Sequence, residues 1–209
     1  SSENFYSAEG SFKIPTSIRC NSTRDLFAPW IGLNGFGNNT VQQAGVAISC
    51  ATGVPTYQAW YEMFPALPVY ISTAAYPISA GDTIFIWVTS YRNLNGTYTI
   101  TIEGNGWSFQ TMQSGGPTTA ISAEAVTESP LNPPSYPNFG TIQFMQLRGY
   151  IYGTHEGNVF DEGTTSMSIP KYNLSATNHY GNTVIVETTS SNISCEEPYC
   201  QFVTTYVHE

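Results

Sequence analysis

Apolar residues along this chain recur at every second position or in short unbroken runs, and almost nowhere at the three-to-four spacing of a helix. The stretch 83–91 (Thr-Ile-Phe-Ile-Trp-Val-Thr-Ser-Tyr) predicts a strand launched by the turn Gly81-Asp82. Asn95-Gly96 then turns into a second strand over 97–103, which predicts a hairpin. The segment 140–147 predicts a strand that continues toward 150–152, and 182–188 and 201–207 predict two more. Alternation also sorts the polar side chains, because successive residues of a strand point to opposite faces. Glu124, Val126 and Glu128 share one face of their segment, and Gln58, Trp60, Glu62 and Phe64 share one face of theirs. Gln43 lies with Val41, Gly45 and Ala47, small neighbours expected to leave room above the amide for a ligand backbone. Regular strands without helices predict an all-β sandwich of two antiparallel sheets, with a closed barrel as the alternative. The 209 residues carry no linker and no internal repeat, so one domain over 1–209 is expected.

Composition changes this picture in three ways. Charged residues make up only 10% of the chain, against the usual quarter, and the net charge is −9. Six Lys and Arg cannot build a basic patch, which excludes nucleic acid as a partner. In acid, once the carboxylates are protonated, those six and three histidines repel each other only modestly, so the fold is expected to resist acid. No apolar run is long enough for a membrane-spanning helix, so no membrane partner is expected.

Four cysteines suit two disulfides in an oxidising compartment. Cys195 and Cys200 are able to staple a short turn, which leaves Cys20 with Cys50, although three connectivities are open. Acceptor triplets begin at Asn21, Asn38, Asn95, Asn173 and Asn192; with the cysteines they point to a secreted glycoprotein. No secretion signal is present and the chain opens at Ser1, which reads as a processed product. Neither CxxC nor HxxxH spacing occurs, so no metal and no cofactor are expected.

The common hydrolase signatures are missing. There is no Asp-Thr-Gly or Asp-Ser-Gly, only three aspartates (Asp25, Asp82, Asp161), and no GxSxG elbow. His155-Glu156 lacks the second histidine of a zinc protease, since Val159 stands there. What remains is a set of carboxylates and amides. A lone strand glutamate is ordinarily a solvated outer-face residue, and a tryptophan such as Trp60 ordinarily packs in a core. The proline-rich segment 129–137 follows Glu128 directly and reads equally as a stiff connection or as a fixed wall beside a site.

Four short motifs occur in order: Trp30-Ile31-Gly32-Leu33-Asn34-Gly35; Gln43-Ala44-Gly45; Tyr57-Gln58-Ala59-Trp60-Tyr61-Glu62 with Pro65; and Ser122-Ala123-Glu124 with Glu128. Each is weak alone. Together they resemble the eqolisins, the acid-acting glutamic peptidases insensitive to pepstatin, from about Trp30 to Phe144. The resemblance implies a lectin-like sandwich of two seven-stranded antiparallel sheets and a catalytic dyad of Gln43 and Glu128. It implies supporting or substrate-binding roles for Trp30 and Glu62, with Trp60, Gln58 and Glu124 beside them. It also implies an unfolded polypeptide as substrate, synthesis with an inhibitory propeptide, and a monomer. Three positions depart from the family pattern: Asn34 and Gln58 stand where Asp is usual, and Ala125 where an aromatic is usual.

A neutral amide and a carboxylate keep working in acid, where histidine is protonated and no longer a base. Glu128, expected near the ordinary glutamate value of about 4.3 or somewhat lower, would take a proton from water. Gln43 would donate its amide hydrogens to the oxyanion, at about 3 kcal/mol of transition-state stabilisation. Two rival readings use the same residues. One is a carbohydrate-binding, lectin-like module. The other is a glycosidase with Glu62 and Glu128 as its two carboxyls, for which Gln43 would stand outside the groove.

Overall fold

The computed structural model describes residues 5–35, 39–90, 95–132, 134–151 and the strand segments 174–177, 183–190, 194–196 and 199–208; beyond residue 150 side chains are described only at 201, 203 and 205. Among the described residues there are fourteen strands and no helix. In chain order they are β1 (Phe5–Lys13), β2 (Leu26–Asn34), β3 (Val41–Ser49), β4 (Thr56–Phe64), β5 (Val69–Tyr70), β6 (Thr83–Thr89) and β7 (Tyr98–Gly104). Then come β8 (Trp107–Gln113), β9 (Ala123–Glu128), β10 (Thr141–Ile151), β11 (Leu174–Thr177), β12 (Thr183–Ser190), β13 (Ser194–Glu196) and β14 (Tyr199–His208).

The strands form the sandwich of two antiparallel sheets. The split is nine and five instead of seven and seven. The larger sheet runs β11-β12-β14-β10-β1-β6-β7-β8, with β13 also paired to β14; the smaller runs β5-β4-β3-β2-β9. The inequality arises because β14 docks on β10 and the other late strands build outward from it, all on one sheet.

The sequence pattern located β6, β7 and the hairpin between them, where Gly96 takes the positive φ (75°) that the turn needs. It missed β1 and β8, and a two-residue strand such as β5 has no period to detect. The predicted strand over 140–147 and its continuation toward 150–152 are one strand, β10. The pairing with β1 and with β14 shifts register around Gln146, whose φ is +54°. A bulge of this kind resets the alternation, so the apolar pattern breaks while the strand continues.

Facing side chains of the two sheets make the core. Phe12, Phe27, Phe139 and Phe144 are fully buried there. Phe27 stacks on Phe139 with ring centroids 4.7 Å apart, and Phe12 tilts against Phe144 at 5.6 Å. Each such ring contributes about 1.5–3 kcal/mol by leaving water. Cys20 and Cys50 form a disulfide with Cα atoms 5.7 Å apart, tying the loop before β2 to the end of β3. The backbone sets Cys195 opposite Cys200 on the β13–β14 pair, but their side chains lie outside the described residues, as do His155 and Glu156. Among the described residues no helix is long and apolar enough to cross a membrane, and no cluster of three metal-ligating side chains occurs.

Candidate active site

The five-stranded sheet has two apolar faces, and only one of them belongs to the core. Phe27, Ile31, Leu33, Ala44, Val46, Ile48 and Ala59 point inward to the other sheet. The alternate residues Ala28, Trp30, Ala47 and Trp60 form a separate cluster on the outward face. Strand register then fixes what surrounds them. Gln43 pairs with Glu62 on β4 and with Gly32 on β2, and Gly32 pairs with Glu124 on β9. One step along, Gly45 lies between Trp30 and Trp60, with Val126 and Tyr70 beyond them. A further step brings Ala28 opposite Glu128 and Ala47 opposite Gln58. All seven candidate residues therefore project from one face, on four neighbouring strands.

The glycines on this face do not leave open space, contrary to expectation. A Cβ on Gly45 would lie 2.5 Å from the Pro29 carbonyl oxygen, 2.8 Å from Trp30 Cβ and 2.9 Å from Trp60 Cζ2. The two indoles close over the glycine and make the floor of the site. Trp30 is 5% exposed and Trp60 6%, so on an outward face they are buried by each other and by their neighbours.

Gln43 is equally buried, at 5% exposure. Its Nε2 donates to Glu62 Oε2 at 2.5 Å, and its Oε1 has no hydrogen-bond partner within the protein. One amide hydrogen and the whole acceptor thus remain for a third molecule. Burial raises the carboxyl of Glu62 above its ordinary range, and the bond from Gln43 partly opposes this.

Glu128 was expected at or below the ordinary glutamate value, and here the structure corrects the sequence reading. Burial pushes its carboxyl up, the Trp30 indole opposes the rise, and the negative charges of Glu62 and Glu124 add to it. The Trp30 Nε1–H closes no hydrogen bond of ordinary geometry, so it acts on the carboxylate from longer range. The charge of Glu62 thus reaches Glu128 across the face.

Two candidates are turned to other work. Gln58 Nε2 donates to the Ile71 carbonyl at 3.0 Å, bracing the segment after β5. Glu124 accepts from Ser122 Oγ at 2.8 Å and its carboxylate fills the space beside Gly35, toward the end of the face. Asn34, where the family pattern has Asp, is fully buried at a φ of +66°. It donates to Gln42 Oε1 at 2.7 Å, a neutral amide pair that ties β2 to β3, and accepts from the Ile121 N–H at 3.0 Å in the segment leading into β9. The sequence reading overlooked Tyr70, which feels the charge of Glu62, and Tyr136, which feels that of Glu128. Tyr136 sits in the proline-rich segment, and that position was its one visible signal.

None of the curated proteins compared matches this chain in sequence. Among solved structures it is similar to scytalidoglutamic peptidase with a peptide-based transition-state analogue: TM-score 0.65, 18% identity, 98% of this chain and 93% of the other. It is similar to SCP-B, a member of the eqolisin family in complex with the tripeptide Ala-Ile-His: TM-score 0.64, 17% identity, again 98% and 93%. It is also similar to aspergilloglutamic peptidase from Aspergillus niger: TM-score 0.63, 21% identity, 88% of this chain and 100% of the other. At these identities the likeness speaks for the fold. The family model described as the Peptidase A4 family matches residues 1–195, nearly the whole chain. With that match over a sandwich that carries the four motifs on one face, the protein belongs to the Peptidase A4 family and is a glutamic endopeptidase of the eqolisin type.

Proposed function

We propose that the chain is a secreted peptidase that hydrolyses unfolded polypeptides in acid, with Gln43 and Glu128 as its catalytic pair. The observation that carries this reading is the shared outward face. A buried amide with a spare N–H and an unpartnered oxygen stands there with a partly buried carboxyl whose proton affinity is raised. Ionised Glu128 removes a proton from a bound water, whose oxygen attacks the scissile carbonyl carbon. Gln43 Oε1 accepts the water's other hydrogen and orients it. The free Nε2 hydrogen of Gln43 donates to the oxyanion as the carbonyl π bond breaks. Glu128 then gives the proton to the leaving nitrogen, and the C–N bond breaks. Glu62 holds the amide in its donor orientation, and the tryptophan floor excludes water beneath the scissile bond.

A raised Glu128 is a stronger base once ionised and still carries a proton to the amine, and the same rise sets the acid limit of activity, because the protonated carboxyl takes no proton from water. The Cys20–Cys50 bridge and the acceptor triplets support secretion. A monomer and an inhibitory propeptide are part of the same proposal, carried by family membership. The glycosidase alternative is disfavoured by Gln43, which is bonded to one of its two carboxyls instead of standing outside the groove.

The test is digestion of an unfolded protein between about pH 2 and 7, with and without pepstatin, by the native chain and by Gln43→Ala and Glu128→Gln. Pepstatin-resistant cleavage by the native chain and none by either folded variant is expected. Full activity in either variant refutes the assignment.

A further inference from the structure

The proline-rich segment after Glu128 does more than connect two strands, as its hydrogen bonds show. Ser129 and Ser135 close it on themselves: Ser129 Oγ donates to the Ser135 carbonyl at 3.3 Å, and the Ser135 N–H donates to Ser129 Oγ at 3.2 Å. Ser135 Oγ donates to Asp25 Oδ1 at 2.7 Å, and the Leu26 N–H to the Ser135 carbonyl at 3.0 Å. Asp25 is 2% exposed, and its other oxygen accepts the N–H groups of Asn21 and Ser22 at 2.7 and 2.9 Å. The Cys50 N–H donates to the Asp25 carbonyl at 2.9 Å, beside the Cys20–Cys50 bridge. Asn21 Nδ2 donates to the Tyr136 carbonyl at 3.3 Å. The segment is therefore fastened to both the disulfide loop and the edge of β2.

This frame holds Tyr136, whose ring packs in the core between the sheets, with its hydroxyl at the residue beside Glu128. The Tyr136 hydroxyl accepts the N–H of Ser129, the residue next to Glu128, at 2.9 Å. Tyr136 is 5% exposed. A phenol that accepts one hydrogen bond still owns a proton to donate, and among the described hydrogen bonds that proton has no acceptor. The Trp30 N–H is in the same condition. The phenol thus stands on the backbone N–H next to Glu128 and feels its field, while the Trp30 N–H already acts on the carboxylate from longer range.

We propose that Tyr136 is a positioning residue for Glu128: its ring pins the end of β9, and its hydroxyl joins the Trp30 indole as a donor to the carboxylate when Glu128 ionises. The inference rests on Glu128 being the general base. The titratable groups that act on Glu128 are Glu124 from its own strand and Glu62 from β4, and Tyr136 feels it from the returning segment; no basic side chain acts on it among the described residues. With like charges on two sides and no cation, donors are what remain to favour the ionised form.

The test compares pH profiles of kcat/KM for the native enzyme, Tyr136→Phe and Glu128→Gln. Glu128 must be ionised to act, so activity falls as pH drops through its pKa. Loss of the phenol donor is expected to move this acid limb of Tyr136→Phe upward by about one unit, which is about tenfold lower kcat/KM on the limb with the plateau little changed. A merely structural role lowers the melting temperature and the plateau and leaves the limb in place. Site-specific 3-fluorotyrosine at position 136 covers the case in which Tyr136→Phe fails to fold. It keeps the ring and makes the hydroxyl a stronger donor, so the limb is expected to move downward. A limb unmoved in the folded variants, with Glu128→Gln inactive, overturns the positioning role alone. An active Glu128→Gln overturns the dyad itself.

Discussion

Replacing Gln43 by methionine is expected to separate stability from activity. The two side chains have similar volume and flexibility, so packing between Gly32 and Glu62 survives. In the native protein Gln43 Oε1 is buried without a protein partner, which costs about 1–3 kcal/mol relative to a satisfied or apolar group. The bond from Nε2 to Glu62 returns part of that, at about 1 kcal/mol when Glu62 is protonated and more when it is ionised. Glu62 is only half-buried, so it regains water when the amide is removed. In acid the balance is a gain of about 1 kcal/mol for Gln43→Met, or about 2–4 °C in Tm for a chain of this size. Near neutrality the gain shrinks, because an ionised Glu62 loses a donor. Activity should move the other way, with kcat/KM down by about 10²–10³ once the oxyanion donor is gone. Thermal unfolding followed by circular dichroism, and hydrolysis of a quenched peptide at the same pH, measure the two sides. A variant less stable than the native chain in acid, or one that keeps its activity within tenfold, refutes the view that this amide is held against the interests of the fold.

Other outcomes follow from the same geometry. Burial raises Glu62 and Glu128 in the folded protein, so both hold protons more tightly folded than unfolded. Their contribution to stability is full below the ordinary value of 4.5 and is lost as pH rises through the raised folded values; Glu128→Gln should therefore flatten the fall of Tm toward neutral pH. Gly45→Ala drives a methyl into the Pro29 carbonyl and the tryptophan floor, and should lower unfolding free energy in urea by about 1–3 kcal/mol. Cys20→Ser opens a bridge spanning 30 residues and should cost about 3–4 kcal/mol in the same assay, while releasing the loop that carries Asp25.

Much of the site was legible because strand alternation is local. Once Glu124, Val126 and Glu128 are read as one face, the side on which each carboxyl lies needs no tertiary information. The order of the four motifs added the pairing of residues far apart in the chain. What stayed hidden was burial. Glu128 looked like an ordinary carboxyl because its neighbours in sequence are small or polar, whereas its proton affinity is set by the cover it receives and by Glu62, which is 66 residues earlier in the numbering. Gly45 looked like an opening, and only the packing of Trp30 and Trp60 from flanking strands makes it a floor. Tyr136 could not be assigned, since nothing local says that a proline-rich segment folds back on the strand it leaves.

By itself the sequence determined the class of the fold, the two-faced character of its strands and the residue types able to work in acid, because periodicity and composition act over a few residues. Only the tertiary structure decided which sheet each late strand joined, how nine and five strands divide the chain, and which carboxyl is deprived of water. Those outcomes depend on contacts between segments far apart in the chain, such as β1 with β10 and β10 with β14, and no local pattern encodes them.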